Sequence, residues 1–105
     1  MDINTNNYKI VFTNIANENL EEIYDYISKY LKEPIIANRI MNKIEQKIFN
    51  LKENPYIYVE VPTKPRKEIY RKMVVDNYIV LYKIDEELKQ VNIHSIFYGR
   101  IDYLV

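Results

Sequence analysis

Cysteine and tryptophan are absent from this 105-residue chain, and glycine and histidine occur once each. Without cysteine there is no disulfide framework, no thiolate metal ligand and no cysteine nucleophile. A lone histidine without partner ligands leaves no zinc-type spacing, so no metal and no cofactor are expected. One glycine cannot build a phosphate-cradling loop. Charge of one sign is lacking too. The 15 basic residues balance 15 acidic ones, which argues against a protein that coats nucleic acid indiscriminately. No apolar run approaches the length of a membrane span, and "MDINTNNYKIVF" lacks the basic start and apolar stretch of a signal peptide. A cytoplasmic protein with no membrane partner is the expectation.

What remains is an ordinary globular composition, 48 % hydrophobic and 29 % charged, sized for one domain over residues 1–105. "YKIVF" (8–12) alternates Tyr8, Ile10 and Phe12 against Lys9 and Val11, which predicts a short strand. From about Asn14 the period changes. Leu20, Ile23, Tyr24, Ile27 and Leu31 recur at helical spacing, with Glu18, Glu21 and Glu22 in the early turns, where the helix dipole favours acid. Pro34 breaks this helix and opens a second. The second carries Ala37, Ile40, Met41, Ile44, Ile48 and Leu51 on one face and stops at "ENP", before Pro55.

Pro62, Pro65 and "KPRK" (64–67) mark a loop, and three strand patterns follow at 69–75, 78–84 and 90–97. Asp76 and Asn77 suit a two-residue hairpin turn because both tolerate positive φ, and "DEELK" (85–89) suits a second turn. The middle strand is apolar at both parities, which predicts a central position covered on both faces. The fold class is therefore α+β: an N-terminal strand, a helical hairpin, then a three-stranded antiparallel meander, with the helices packed on one sheet face.

Between residues 64 and 72 stand Lys64, Arg66, Lys67, Arg71 and Lys72 against Glu68 alone. Alternation places Arg71 and Lys72 on opposite faces of their strand, and the same reasoning puts Arg71 on one surface with Arg100. Such a cluster reads equally as a patch for phosphate or an acidic partner and as a solvated strand edge guarded by cations. His94 lies inside an alternating strand, where a solvated or hydrogen-bonded role is the expectation. Glu21, Glu22 and Asp25 form the wet face of the first helix. Of the 11 tyrosines, Tyr24, Tyr78 and Tyr82 fit the core pattern, whereas Tyr70, Tyr98 and Tyr103 fall near arginines and suit stacking or hydrogen-bond donation. The single glycine, Gly99, sits between Tyr98 and Arg100, where it lets the chain leave the last strand.

Four pieces in order, "YKIVFTNIANENLEEIYDYI", a short-linked second helix ending "LKENP", "YRKMVVDNYIVLYKID" and "VNIHSIFYGRIDY", carry a resemblance. From Tyr8 to Tyr103 the chain resembles the RelE/ParE superfamily of type II toxin–antitoxin toxins. The resemblance implies a bacterial growth inhibitor silenced by a cognate, co-transcribed antitoxin, with the ribosome and its mRNA or DNA gyrase as target. For the RelE-like branch, whose members are ribosome-dependent mRNA endonucleases, it implies catalytic roles for Arg71, Arg100 and Tyr98 or Tyr103. A basic group there neutralises the developing phosphorane. For the ParE-like branch, whose members block gyrase without cleaving RNA, it implies a target-binding surface of Arg66, Lys67, Arg71, Lys72 and Arg100. One residue departs from the endonuclease pattern: Ile79 stands where those enzymes carry arginine, and isoleucine stabilises no anion. That departure and the apolar "YIVLY" strand favour the ParE-like branch over the endonuclease; a non-toxic binding module of the same fold is a third alternative.

Overall fold

The computed structural model describes residues 7–62 and 68–99. In chain order these form β1 (Lys9–Phe12), α1 (Asn14–Asp25), α2 (Pro34–Phe49), β2 (Glu60–Val61), β3 (Tyr70–Val75), β4 (Tyr78–Asp85) and β5 (Gln90–Tyr98). The strands make one five-stranded sheet in the order β1-β5-β4-β3-β2. β2 to β5 pair antiparallel, whereas β1 runs parallel to β5, and the helical hairpin carries the chain from β1 across the sheet to β2 at the opposite edge. The expected strand, hairpin and meander are all present. β2 was not anticipated, because two residues are too short to show a period.

Helix α1 starts where its period predicts. Thr13 caps it, its Oγ1 accepting from Ala16 N at 3.0 Å, and the acids begin only in the second turn. The helix then widens into a π-helical segment at Tyr26–Tyr30, where Leu31 N donates to Tyr26 O at 2.9 Å. Lys32 takes a positive φ of 59°, and Glu33 N donates back to Ile27 O at 2.9 Å, which closes the hairpin. Leu31, read as part of the apolar stripe, is exposed at this corner. A 3₁₀ turn, Asn50–Lys52, continues α2, and Pro55 opens another.

The helices cover one face only. There Ala16, Ile44, Ile48 and Leu51 meet Met73 and Val75 of β3, Val80 and Tyr82 of β4, and Val91, Ile93 and Ile96 of β5. Burying an aliphatic side chain of this kind contributes about 1.5–3 kcal/mol. β4 is central, as expected. On its far side Ile79 is 2 % exposed and Leu81 half-buried. In the β3–β4 turn only Asp76 adopts positive φ, at 54°, and its carboxylate pairs with Lys43 of α2 at 2.9 Å.

Candidate functional site

Of the residues singled out from the sequence, the three that the structure describes do not form one cluster. Arg66, Lys67, Arg100 and Tyr103 lie outside the described residues. Arg71, Lys72 and Tyr98 lie within them, and the register separates all three. Arg71 pairs with Tyr82 and Tyr98 with Tyr78, four residues further along β4. That is about 13 Å along the strands and roughly 10 Å across the sheet.

Arg71 shares the helix-covered face with Met73 and Val75, and its side chain is only 15 % exposed. Its guanidinium donates to Tyr58 O at 2.6 Å and Tyr56 O at 3.4 Å, pairs with Glu60 at 3.2 Å, and lies 5.0 Å from the Tyr56 ring centroid. Bonds of this kind tie residues 56–60, which lead into the edge strand β2, down onto the sheet. Two further contacts hold the same segment. The buried Tyr82 hydroxyl donates to Pro55 O at 2.6 Å, and Tyr56 donates to Glu86 Oε2 at 2.5 Å. Tyr8 donates to the same Glu86 oxygen at 2.5 Å and Lys89 holds the other at 3.1 Å. Hydrogen bonds from Tyr56, Tyr8 and Lys89 therefore hold the Glu86 carboxyl down at about 2, and the Glu86 bond pushes Tyr56 up to about 12.

At the other end of the sheet, Tyr98 is 64 % exposed and meets Tyr78 edge-on, 5.6 Å between centroids. The two tyrosines form the floor of a groove of about 660 Å³ whose far wall is the hairpin, through Ile23, Tyr26, Ile36 and Ile40. Among the described residues its lining is apolar and aromatic, with Glu22 as the one charged member. Beside it Tyr26 and Tyr30 stack at 5.2 Å, and Tyr30 and Ile35 are largely exposed. Exposed apolar surface of this extent on a small domain marks an interaction site. Charge and motif readings passed over it because its members sit on both helices, the π-helical segment between them and two strands.

Lys72 projects from the opposite face, which no described helix covers, in the cross-strand row with Leu81 and Ser95. Ile79 occupies that face too, between Val74 and Phe97. Gly99 follows directly after β5, with Gly99 N donating to Asn77 O at 2.8 Å. Its φ is not positive, so no special turn requires glycine. The requirement is proximity: a Cβ here would stand 2.6 Å from Ile79 Cδ1. Gly99 is thus the space into which Ile79 packs, rather than the exit device expected from the sequence.

The same face carries a bulge. Leu81 pairs with Ser95 but Tyr82 pairs with Ile93, which leaves His94 as an extra residue. His94 Nδ1 lies 3.1 Å from Ser95 Oγ, and its ring meets Tyr70 edge-on at 5.1 Å. Lys83 lies 5.9 Å from the Tyr70 ring centroid and 3.1 Å from Glu68. Tyr70 donates to Glu68 at 2.9 Å; that bond, then Lys83, lowers the Glu68 carboxyl. Tyr70 therefore stands with a histidine and a lysine among the described residues. A sequence signal for the bulge exists: the apolar parity of β5 flips between Ile93 and Ile96.

Among the described residues no cluster of histidine, cysteine, aspartate or glutamate fits a metal ion, and no helix is long and apolar enough to cross a membrane. A family model described as the ParE toxin of the type II toxin–antitoxin system parDE matches residues 10–103. The chromosomal ParDE toxin–antitoxin system from P. aeruginosa is similar in structure, with a TM-score of 0.74, 16 % identity, and 91 % of this chain and 100 % of that one covered. The RelBE2 toxin–antitoxin complex from Mycobacterium tuberculosis gives 0.64, at 19 % identity, over 88 % and 98 % of the two chains. A mutant of the E. coli toxin RelE in the free state gives 0.60, at 13 % identity, over 93 % and 90 %. No curated protein matches the chain.

Proposed function

Because the chain belongs to the ParE toxin family of type II toxin–antitoxin systems, we propose that it arrests growth by inhibiting DNA gyrase. The observation that carries this reading is the environment of Ile79. The residue is 2 % exposed, seated against Gly99 and flanked by Val74 and Phe97 in its cross-strand row. The resembling endonucleases hold an arginine at this position. Cleavage of RNA through its own 2′-hydroxyl needs a cation or donor at the developing phosphorane, and losing one costs on the order of 10²–10³ in rate. Arg71 offers no replacement here, since backbone carbonyls and Glu60 already occupy its guanidinium on the other face of the sheet. Blocking gyrase needs only a complementary binding surface.

The apolar groove between the hairpin and Tyr78 and Tyr98 suits the cognate antitoxin. A short segment that folds as it binds gains most from such a site, laying apolar side chains along Ile23, Tyr26, Ile36 and Ile40. Other structures of this fold include toxin–antitoxin complexes, which supports a partner of this kind. Controlled induction of the chain in bacteria tests the reading. DNA-damage signalling and filamentation, with translated transcripts intact at early times, are expected. Prompt codon-periodic cleavage of translated mRNA with undisturbed DNA topology would make the chain an endonuclease instead.

A further inference from the structure

We infer that the sheet face away from the helices, around His94, Tyr70 and Lys72, is the surface by which this chain docks on its protein target, and that the target meets it with carboxylates. The inference rests on the gyrase reading and goes beyond it by assigning the surface.

The bulge is the first ground. In a regular strand His94 and Ser95 would face opposite sides; the extra residue turns both toward the face away from the helices, where their side chains touch at 3.1 Å. The distortion is built and supported from behind. Thr13, already the cap of α1, donates to His94 O at 2.8 Å, and Asn19 Oδ1 accepts from Ile96 N at 2.9 Å. Two side chains of the α1 segment thus satisfy β5 backbone groups past Ile93, where the pairing with β1 ends. A bulge held in this way re-aims side chains, and here it brings the chain's single histidine against Tyr70.

The second ground is the arrangement of the rows. Val74, Ile79 and Phe97 form an apolar row at one end. Lys72, Leu81 and Ser95 form the next, and beyond it come Lys83 paired with Asn92, with Tyr70 and His94 alongside. Among the described residues the Lys72 ammonium has no ion-pair partner, whereas Lys83 is held by Glu68. Aromatic rings beside a cation, bordered by aliphatic side chains, combine the apolar and charged parts of a protein interface. The aliphatic row and zero net charge disfavour a nucleic-acid track, which needs an excess of cations to displace counterions. The complement to the Lys72 ammonium is a carboxylate.

Binding of the purified full chain to immobilised DNA gyrase tests the assignment, with thermal unfolding measured on every variant. Wild type should bind, and Lys72→Glu, at a half-exposed strand position, should weaken binding more than about tenfold while its melting temperature stays unchanged. His94→Ala should weaken it as well. If His94→Ala disturbs the bulge and lowers the melting temperature, Lys72→Glu alone decides. Wild-type binding that Lys72→Glu leaves unaltered overturns this surface and spares the gyrase reading. A wild type that does not bind gyrase overturns both. Tight binding of a single-stranded RNA oligonucleotide, lost on Lys72→Glu, would make the face a nucleic-acid site and overturn the assignment to a protein.

Discussion

Replacing Gly99 by alanine should change sign with the size of residue 79. A Cβ at Gly99 would lie 2.6 Å from Ile79 Cδ1, 3.4 Å from Ile79 Cγ1 and 3.8 Å from Phe97 Cε2. Only the first is a clash, and it falls on the end of a side chain that can rotate, so the cost sits near the lower end of the about 1–3 kcal/mol typical of overpacking. Against it stands a gain. Because φ at Gly99 is not positive, alanine fits the backbone and restricts the unfolded chain, which is worth about 0.4–1 kcal/mol. In the wild-type background these terms nearly offset, leaving Gly99→Ala mildly destabilising. Ile79→Val removes Cδ1 at a cost of about 0.5–1.5 kcal/mol. In that background the clash is gone, and Gly99→Ala should stabilise. Urea unfolding of the four proteins gives a coupling energy of about 1 kcal/mol or more, with the unfolded-state gain cancelling round the cycle. Strict additivity, or a Gly99→Ala penalty that persists beside Val at position 79, would refute the packing account of this glycine.

Arg71→Ala should lower the unfolding free energy by about 1.5–3 kcal/mol, since it strips a charged donor from the Tyr58 carbonyl and leaves residues 56–60 loosened; an unchanged melting temperature would return Arg71 to the exposed cations. Glu86 sets an acid limb. Its folded pKa, about 2, lies below its ordinary value, so its stabilisation is fully present above the ordinary carboxylate range and is lost as pH falls through about 2. Glu86→Gln should therefore be less stable than wild type at neutral pH and converge with it in strong acid. Tyr56, raised to about 12, gives the mirror case: its share is present below its ordinary value of 10.0 and is lost as pH rises through about 12. Tyr56→Phe should remove that alkaline loss from the unfolding curve.

Periodicity made most of the fold legible. The apolar stripe Ile40, Ile44 and Ile48 defines α2, and the alternation of Met73, Val75, Val80 and Tyr82 defines which face of the meander is covered. What escaped depends on partners distant in sequence. The parallel pairing of β1 with β5 and the two-residue β2 are settled by packing, since neither segment is long enough to encode a neighbour. Arg71 looked free because two of its partners are backbone carbonyls, which leave no mark on a sequence, and Glu60 lies eleven residues away. His94 looked unremarkable for the opposite reason: a bulge changes its direction without changing its neighbours. The groove combines Tyr26 at the end of one helix, Ile36 at the start of the next and Tyr98 at the end of the sheet, a grouping that exists only once the hairpin has folded back.

Titration of purified DNA gyrase with the purified chain, read as ATP-driven supercoiling of relaxed plasmid, tests the central claim most directly. Inhibition that becomes complete as the chain reaches the concentration of the enzyme is the predicted result. Undiminished supercoiling at a large excess of chain, with translated mRNA cut by the same preparation in a translating extract, would contradict it.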